Sequence, residues 1–120
     1  WGDEPRCDRP VITEVARRYP GCPLLLAHSF HDAWQDAVEA AIEHENIYLD
    51  LTAVLDNRGG IEAFVAGGLC ERILFGTDLP WFSPHHGIGA LLSAEITDED
   101  RHNILHRNAE KLLKKAGVLE

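Results

Sequence analysis

Asp78 is the residue whose type and position point most strongly to chemistry. It follows the apolar run of residues 73–75, and Gly76 and Pro80 lie on either side of it. A short apolar run that ends at a turn is typical of a buried parallel strand, and α/β folds place functional groups where such strands end. A carboxylate buried there must be paired, hydrogen-bonded or bound to a metal. The position predicts a metal ligand or a proton carrier, and a helix cap or loop-bracing acid is the structural alternative.

His28 ends another apolar run, residues 23–28. Because side chains alternate along a strand, His28 would share a face with Leu26 and reach the same sheet edge as Asp78. An imidazole and a carboxylate at one edge suit zinc or a similar divalent metal, which lowers the pKa of bound water towards neutrality. We therefore predict His28 and Asp78 as catalytic residues and metal ligands, with a structural histidine as the alternative.

Two ligands do not complete a catalytic zinc site, which usually has three protein ligands and a water. Three more histidines could act as ligands or, because they fall in loops or first turns, as pocket-rim residues. They are His31, His85 and His86. Asp50 is predicted to be structural or to support a ligand, whereas Thr52, at the end of its strand, could line a pocket. Trp81 and Phe82 are predicted either to wall a substrate pocket or to pack in the core.

The composition excludes several other classes of function. The net charge of −9 is spread along the 120 residues, whereas a nucleic-acid surface needs clustered Lys and Arg. No apolar stretch approaches the length of a membrane span, and no GxSxG elbow, GxxxxGK[ST] phosphate loop or GxGxxG fingerprint is present. Three widely spaced cysteines, Cys7, Cys22 and Cys70, favour reduced thiols in a cytoplasmic protein. A small-molecule substrate is the expected partner, without nucleic acid or membrane.

Three strand-then-helix units are predicted to position these residues. The strands are residues 23–28, 47–52 and 73–77, and their alternation with helices implies a parallel sheet in one domain-like unit. Helices are predicted over residues 10–19, 61–66 and 86–93, after the first strand, and from Thr97 onwards.

Two of these helices carry further signals. The helix after the first strand has one apolar stripe, formed by Trp34, Val38, Ala41 and Ile42. The last helix begins with Thr97 and Asp100, an acidic variant of the capping box. Its predicted packing face consists of Ile104, Leu105, Leu112 and Leu113.

Four segments together resemble the amidohydrolase-related family of metal-dependent (β/α)8-barrel hydrolases and carboxy-lyases. They are Leu25-Leu26-Ala27-His28, Asn46-Ile47-Tyr48-Leu49-Asp50, Arg72-Ile73-Leu74-Phe75-Gly76-Thr77-Asp78, and the stretch from Ile104 through Asn108-Ala109 to Leu112-Leu113. Their order and spacing carry the resemblance, which runs from about Pro10 to Leu113. It implies an α/β fold: the C-terminal portion of a TIM barrel, with parallel strands six to eight and their flanking helices.

The resemblance also implies roles for individual residues. Asp78 would correspond to the family's strand-eight aspartate, a metal ligand and proton carrier. His28 would correspond to the strand-six histidine, an acid/base group or a second-metal ligand. The strand-one His-x-His pair and the strand-five His have no counterparts in residues 1–120. The chain is therefore predicted to be a partial barrel domain whose N-terminal half is absent, in keeping with a sequence that starts at Trp1 and contains no Met.

We predict a metal-dependent hydrolase in which metal-activated water attacks an amide, ester or lactone-like carbon and Asp78 takes or shuttles the proton. The isolated piece should be inactive, and its open strand edge should favour pairing with another chain, as in a homo-oligomer. Two alternatives stay open: a non-oxidative decarboxylase on the same fold, and a non-catalytic flavodoxin-like α/β module that binds a ligand. Family members often have glycines after the strand-six His, whereas Ser29-Phe30-His31-Asp32 follows here. The substrate is therefore left open.

Overall fold

The fold is α/β, with a three-stranded parallel sheet and helices before, between and after its strands. A computed structural model describes residues 8–53 and 58–120. Within these residues the strands are β1 (Leu24–Leu26), β2 (Ile47–Asp50) and β3 (Ile73–Leu74), in the spatial order β1-β2-β3. The α-helices are α1 (Arg9–Arg18), α2 (Trp34–Glu43), α3 (Gly60–Ala66), α4 (Pro84–Ser93), α5 (Asp98–His102) and α6 (Asn108–Lys115). The predicted parallel arrangement is confirmed.

Parallel pairing brings the carboxyl ends of all three strands to one edge of the sheet. The last residue of β1, Leu26, pairs with Leu49, and the last residue of β3, Leu74, pairs with Asp50. Along β2, Ile47 and Leu49 are fully buried, and Asp50, which has the opposite parity, is half-buried. Asp50 is therefore the polar group that the central strand delivers to this edge.

β1 is shorter than the predicted strand of residues 23–28. It ends at Leu26, because residues 28–31 have left-handed backbone dihedrals that cannot continue a strand. His28 thus lies in a turn just beyond the carboxyl end of β1. The prediction that His28 shares a strand face with Leu26 was therefore wrong, because the alternation of side chains stops where β1 ends.

β2 and β3 are also shorter than predicted. β2 ends at Asp50, whose carboxylate accepts a hydrogen bond from the backbone amide of Thr52 and so bends the chain. β3 ends at Leu74, and residues 75–78 continue from it without strand pairing. Asp78 therefore lies in a loop beyond the carboxyl end of β3, and not on the strand itself.

Three polar side chains brace the segments around the strands by donating to backbone carbonyls. They are Asn46, Arg72 and Asn108. The Asn46 amide donates to the carbonyls of Ala16, Tyr19 and Cys22, Arg72 to those of Ala41, His44 and Ile47, and Asn108 to those of Cys70 and Ile73. These contacts fix the loops that enter the strands, and none of them follows from a sequence motif.

The apolar stripe of α2 packs on the sheet through small residues. Ala37, Ala40 and Ala41 are fully buried, and Trp34 lies edge-on against Phe64 of α3 with ring centroids 5.9 Å apart. Ile42, predicted to belong to this stripe, is 56% exposed. The prediction was wrong for Ile42. The helix packs closely on the sheet through its alanines, and Ile42 lies outside that buried face.

The C-terminal helical run begins at Thr97 and contains a π-helical turn, Asn103–Arg107, between α5 and α6. Ile104 is fully buried and Leu105 packs against the core, whereas Leu113 is 39% exposed. The predicted packing face is therefore confirmed for the first half of the run. Among residues 8–53 and 58–120, no helix is both long and apolar enough to cross a membrane.

Thr97→Ala is expected to destabilise the protein by about 1 kcal/mol, as loss of an N-cap does. The Thr97 hydroxyl accepts the Asp100 amide at 3.1 Å, and Asp100 accepts the Thr97 amide at 3.1 Å, which completes the predicted capping box. Hydrogen bonds from Thr97 lower the pKa of Asp100, so this contribution is present above the ordinary Asp pKa and is lost as the pH falls through the lowered value. Chemical denaturation of both proteins at neutral pH and at a series of pH values falling from the ordinary Asp pKa of about 3.9 measures the effect. A difference in unfolding free energy that stays the same over the whole series would contradict it.

Candidate functional site

The chain leaves β1 through a strained segment. His28, Ser29, Phe30 and His31 have φ values of 59°, 43°, 63° and 50°. A left-handed conformation costs a non-glycine residue roughly 1–2 kcal/mol, because its Cβ crowds the following carbonyl oxygen. Four such residues in succession require strong contacts from the rest of the fold, and strain of this kind is concentrated at functional sites. This left-handed segment (residues 28–31) is the first element of the candidate site.

Asp50 of β2 supplies those contacts. Its Oδ2 atom accepts the backbone amide of His28 at 3.3 Å, and its Oδ1 atom accepts the Thr52 amide at 3.2 Å and the Thr52 hydroxyl at 2.9 Å. The hydroxyl of Ser29, which is fully buried, donates to the Asp50 carbonyl at 2.8 Å. Asp50 therefore joins the end of β2 to the start of the left-handed segment, in agreement with its predicted structural or supporting role.

The His28 ring is oriented by a backbone carbonyl. Its Nδ1 atom lies 3.2 Å from the carbonyl oxygen of Thr52. Because a carbonyl only accepts, Nδ1 carries the hydrogen, and in the neutral ring the Nε2 atom keeps its lone pair. The His31 ring stacks on His28 with centroids 4.4 Å apart and an interplanar angle of 15°. His28 thus has the tautomer and the fixed orientation of a metal-binding or proton-accepting histidine.

Gly76, which follows β3, completes the packing around Asp50 and Thr52. A Cβ atom at Gly76 would lie well inside van der Waals contact of Thr52 Oγ1 and Asp50 Oδ1, and 3.3 Å from the Asp50 carboxyl carbon. The backbone after β3 therefore runs directly against the Asp50–Thr52 pair, an approach open only to glycine. We call His28, Asp50, Thr52 and Gly76 the edge cluster.

Asp78 lies two residues beyond the edge cluster. It is half-buried with a φ of 56°, and its carbonyl accepts the amides of Trp81 at 2.8 Å and Phe82 at 3.3 Å. These two hydrogen bonds form a tight turn in the loop that follows β3. Trp81 is 81% exposed, so it does not pack in the core of the described structure. The assignment of Asp78 as a metal ligand and catalytic residue stays a prediction.

The remaining sequence candidates make no recorded hydrogen bond to the edge cluster within the described residues. His85 and His86 are exposed in the first turn of α4, where His85 Nδ1 lies 3.2 Å from the Ser83 hydroxyl. Burial, together with Asp100, raises the pKa of the Cys70 thiol to about 11, so that Cys70 is not a nucleophile near neutral pH. Neither observation adds a residue to the site.

Within the edge cluster, His28 is the residue whose chemistry suits a metal ligand. His28 presents a free Nε2 lone pair and donates its other ring nitrogen to a carbonyl, the arrangement usual for metal-bound histidine. The Asp78 carboxylate offers an oxygen ligand of the type that zinc accepts. Within residues 8–53 and 58–120, however, no group of three or more His, Cys, Asp or Glu side chains could hold a metal. The described residues therefore fit part of a metal site.

Comparison with known proteins identifies the family and the fold of the chain. Residues 6–115 match a family model described as amidohydrolase. The chain also superposes, with a TM-score of 0.80 and 29% sequence identity, on the crystal structure of an uncharacterised TIM-barrel protein from Bordetella bronchiseptica. The match covers 90% of this chain and 40% of that one, so the chain has the fold of part of a TIM barrel. No curated protein matches the sequence significantly.

Proposed function

Because the chain belongs to the amidohydrolase family, we propose that it forms the strand-six to strand-eight part of a metal-dependent hydrolase. The observation that carries this proposal is the His28 ring, held through Nδ1 by the Thr52 carbonyl at the carboxyl edge of the sheet. That edge is where TIM-barrel enzymes place their active sites. The substrate class we propose is an amide, ester or lactone-like small molecule.

Two open edges support the proposal of a larger barrel. β1 and β3 each have one paired neighbour, β2, within the described residues. A closed barrel has no free edge, since each strand is paired on both sides. We propose that further strands of the same protein flank β1 and β3, with a second copy of the chain as the alternative partner at these edges.

His28 and Asp78 are the residues that would hold the metal. When bound, a divalent metal such as zinc polarises the substrate carbonyl and lowers the pKa of a coordinated water. Asp50 and Thr52 keep His28 in place, because they bind its amide and its ring. These contacts hold His28 in one position, which supports its proposed role as a ligand or as an acid/base group.

In this proposal Asp78 is the residue that transfers the proton. Water adds to the carbonyl carbon, and the Asp78 carboxylate accepts a proton from the water. The same proton then passes to the leaving nitrogen or oxygen as its bond to carbon breaks, which gives a carboxylic acid and an amine or alcohol. The carboxylate ends the cycle in its starting state, so no further reactant is required.

The proposal is tested by incubating the complete barrel protein, supplied with zinc, with panels of esters, amides, lactones and aromatic carboxylic acids. We expect a carboxylic acid product and no release of carbon dioxide. Release of carbon dioxide would instead indicate a carboxy-lyase. If every compound stays unchanged while one of them binds without metal, the chain belongs to a binding protein. Either of these results would overturn the proposal of a hydrolase.

A further inference from the structure

Three side chains recur every fourth residue along the C-terminal helical run. His102 ends α5, His106 lies in the π-helical turn, and Glu110 lies in α6. All three are exposed to solvent. The His102 ring contacts the His106 ring, and His106 is hydrogen-bonded to Glu110, so these groups form one polar strip across the π-helical turn. The strip takes no part in the edge cluster.

Glu110 fixes the tautomer of His106. The Nδ1 atom of His106 lies 2.8 Å from Oε1 of Glu110. A carboxylate only accepts, so Nδ1 carries the hydrogen and the Nε2 atom of the neutral ring keeps a lone pair. An imidazole held in this way by a carboxylate is the arrangement found at metal-bound histidines, where the carboxylate also makes the ring a stronger ligand.

His102 lies close enough to share a ligand with His106. The two ring centroids are 5.9 Å apart and the ring planes are nearly perpendicular, at 84°. Two imidazoles bound to one tetrahedral metal at about 2.0–2.1 Å have ring centroids roughly 5 Å apart. The observed separation is within about 1 Å of that value, and two helical histidines four residues apart also bind zinc in the HExxH motif.

Three basic residues that flank the two histidines in this run have carboxylate partners. Arg101 pairs with Asp98 at 2.8 Å, Arg107 with Glu99 at 2.5 Å and Lys111 with Glu71 at 3.6 Å. These pairs offset the positive charge around the two histidines. The net charge of the chain, −9, favours a cation as well.

We propose that His102 and His106 chelate a divalent transition metal of the zinc, nickel and copper class at the surface, with Glu110 as the positioning residue. Imidazole nitrogen suits these metals, and it disfavours calcium and magnesium, which prefer oxygen ligands. Water molecules fill the remaining coordination positions, so the site is a surface chelate of modest affinity. It is independent of the proposed hydrolase.

The test uses the complete barrel protein with its proposed catalytic site already saturated with zinc, so that the titration counts only additional metal. Zinc chloride is titrated by calorimetry, and nickel chloride is followed through broadening of the histidine ring signals in NMR spectra. We expect the rings of His102 and His106 to broaden first. His102→Gln and His106→Gln should each weaken zinc binding at least tenfold, and Glu110→Gln should weaken it by about 10-fold to 100-fold, as losing the partner of a metal-bound histidine does.

His44→Gln is the matched control, because His44 lies at the end of α2, outside this helical run. It should bind zinc as the parent chain does. Zinc affinity that is unchanged in His102→Gln and His106→Gln would overturn the proposal. Nickel broadening confined to other histidines would also overturn it. Circular dichroism confirms that each exposed substitution leaves the helix content intact.

Discussion

Asp78→Asn is expected to lower the turnover of the complete barrel protein at least about 100-fold, the lower range for loss of acid/base catalysis. Asn keeps the size of Asp and fits the same turn, where the left-handed φ of 56° also favours Asp and Asn. It lacks the negative charge that binds a metal and the ability to accept a proton near neutral pH. Turnover should therefore fall while the thermal unfolding midpoint stays close to that of the parent.

Asp98→Asn is the matched control for this substitution. Asp98 is a solvent-exposed helical residue whose ion pair with Arg101 is of the exposed kind that contributes little to stability. We expect Asp98→Asn to retain full turnover. Near-normal turnover and metal content in Asp78→Asn would remove Asp78 from the chemistry, whereas loss of turnover in both variants would point to a general effect of lost charge.

Gly76→Ala is expected to destabilise the chain by roughly 1–3 kcal/mol, the usual cost of overpacking. The added methyl group would overlap Thr52 Oγ1 and Asp50 Oδ1. Neither oxygen can move freely, because Thr52 is buried and β-branched and the two are hydrogen-bonded to each other. Relief of the overlap must displace the edge cluster. We therefore expect a changed NMR environment for the His28 ring along with a lower unfolding free energy.

Gly89→Ala provides the comparison. Gly89 lies inside α4, and a Cβ atom there would have no heavy atom within 4 Å beyond its own helix. Alanine is favoured over glycine in a helix by about 1 kcal/mol, so this variant should be as stable as the parent or more stable. Denaturant unfolding of the parent protein, Gly76→Ala and Gly89→Ala measures how the free energy of unfolding changes at each position. A Gly76→Ala protein as stable as Gly89→Ala, with an unchanged His28 signal, would show that the edge cluster is not tightly packed.

The parallel sheet, the helix order and the capping box at Thr97 could all be predicted, because each depends on local periodicity or on a short motif. The residues at which the strands end could not be predicted. The left-handed segment (residues 28–31) is stabilised by Asp50 and Thr52, which lie more than twenty residues later in the sequence. Local propensity gives no sign of such a segment, since none of its four residues is glycine.

The candidate site could likewise be predicted only in part. Parallel strands bring His28 and Asp78 to one edge of the sheet, and that much follows from the order of the elements. The orientation of the His28 ring depends on the Thr52 carbonyl, which no sequence pattern reveals. The need for Gly76 follows from the close approach of two other side chains. A glycine two residues before a strand-end acid is a signal that could direct attention to such an approach in other sequences.

Metal removal from the complete barrel protein tests the central claim most directly. The protein is treated with a chelator, dialysed and assayed on the compound identified in the substrate panel, and zinc is then added back. We expect loss of turnover on chelation and full recovery on reconstitution, because a bound metal would lower the pKa of the attacking water. Turnover at the full rate in protein shown by elemental analysis to be free of metal would contradict it.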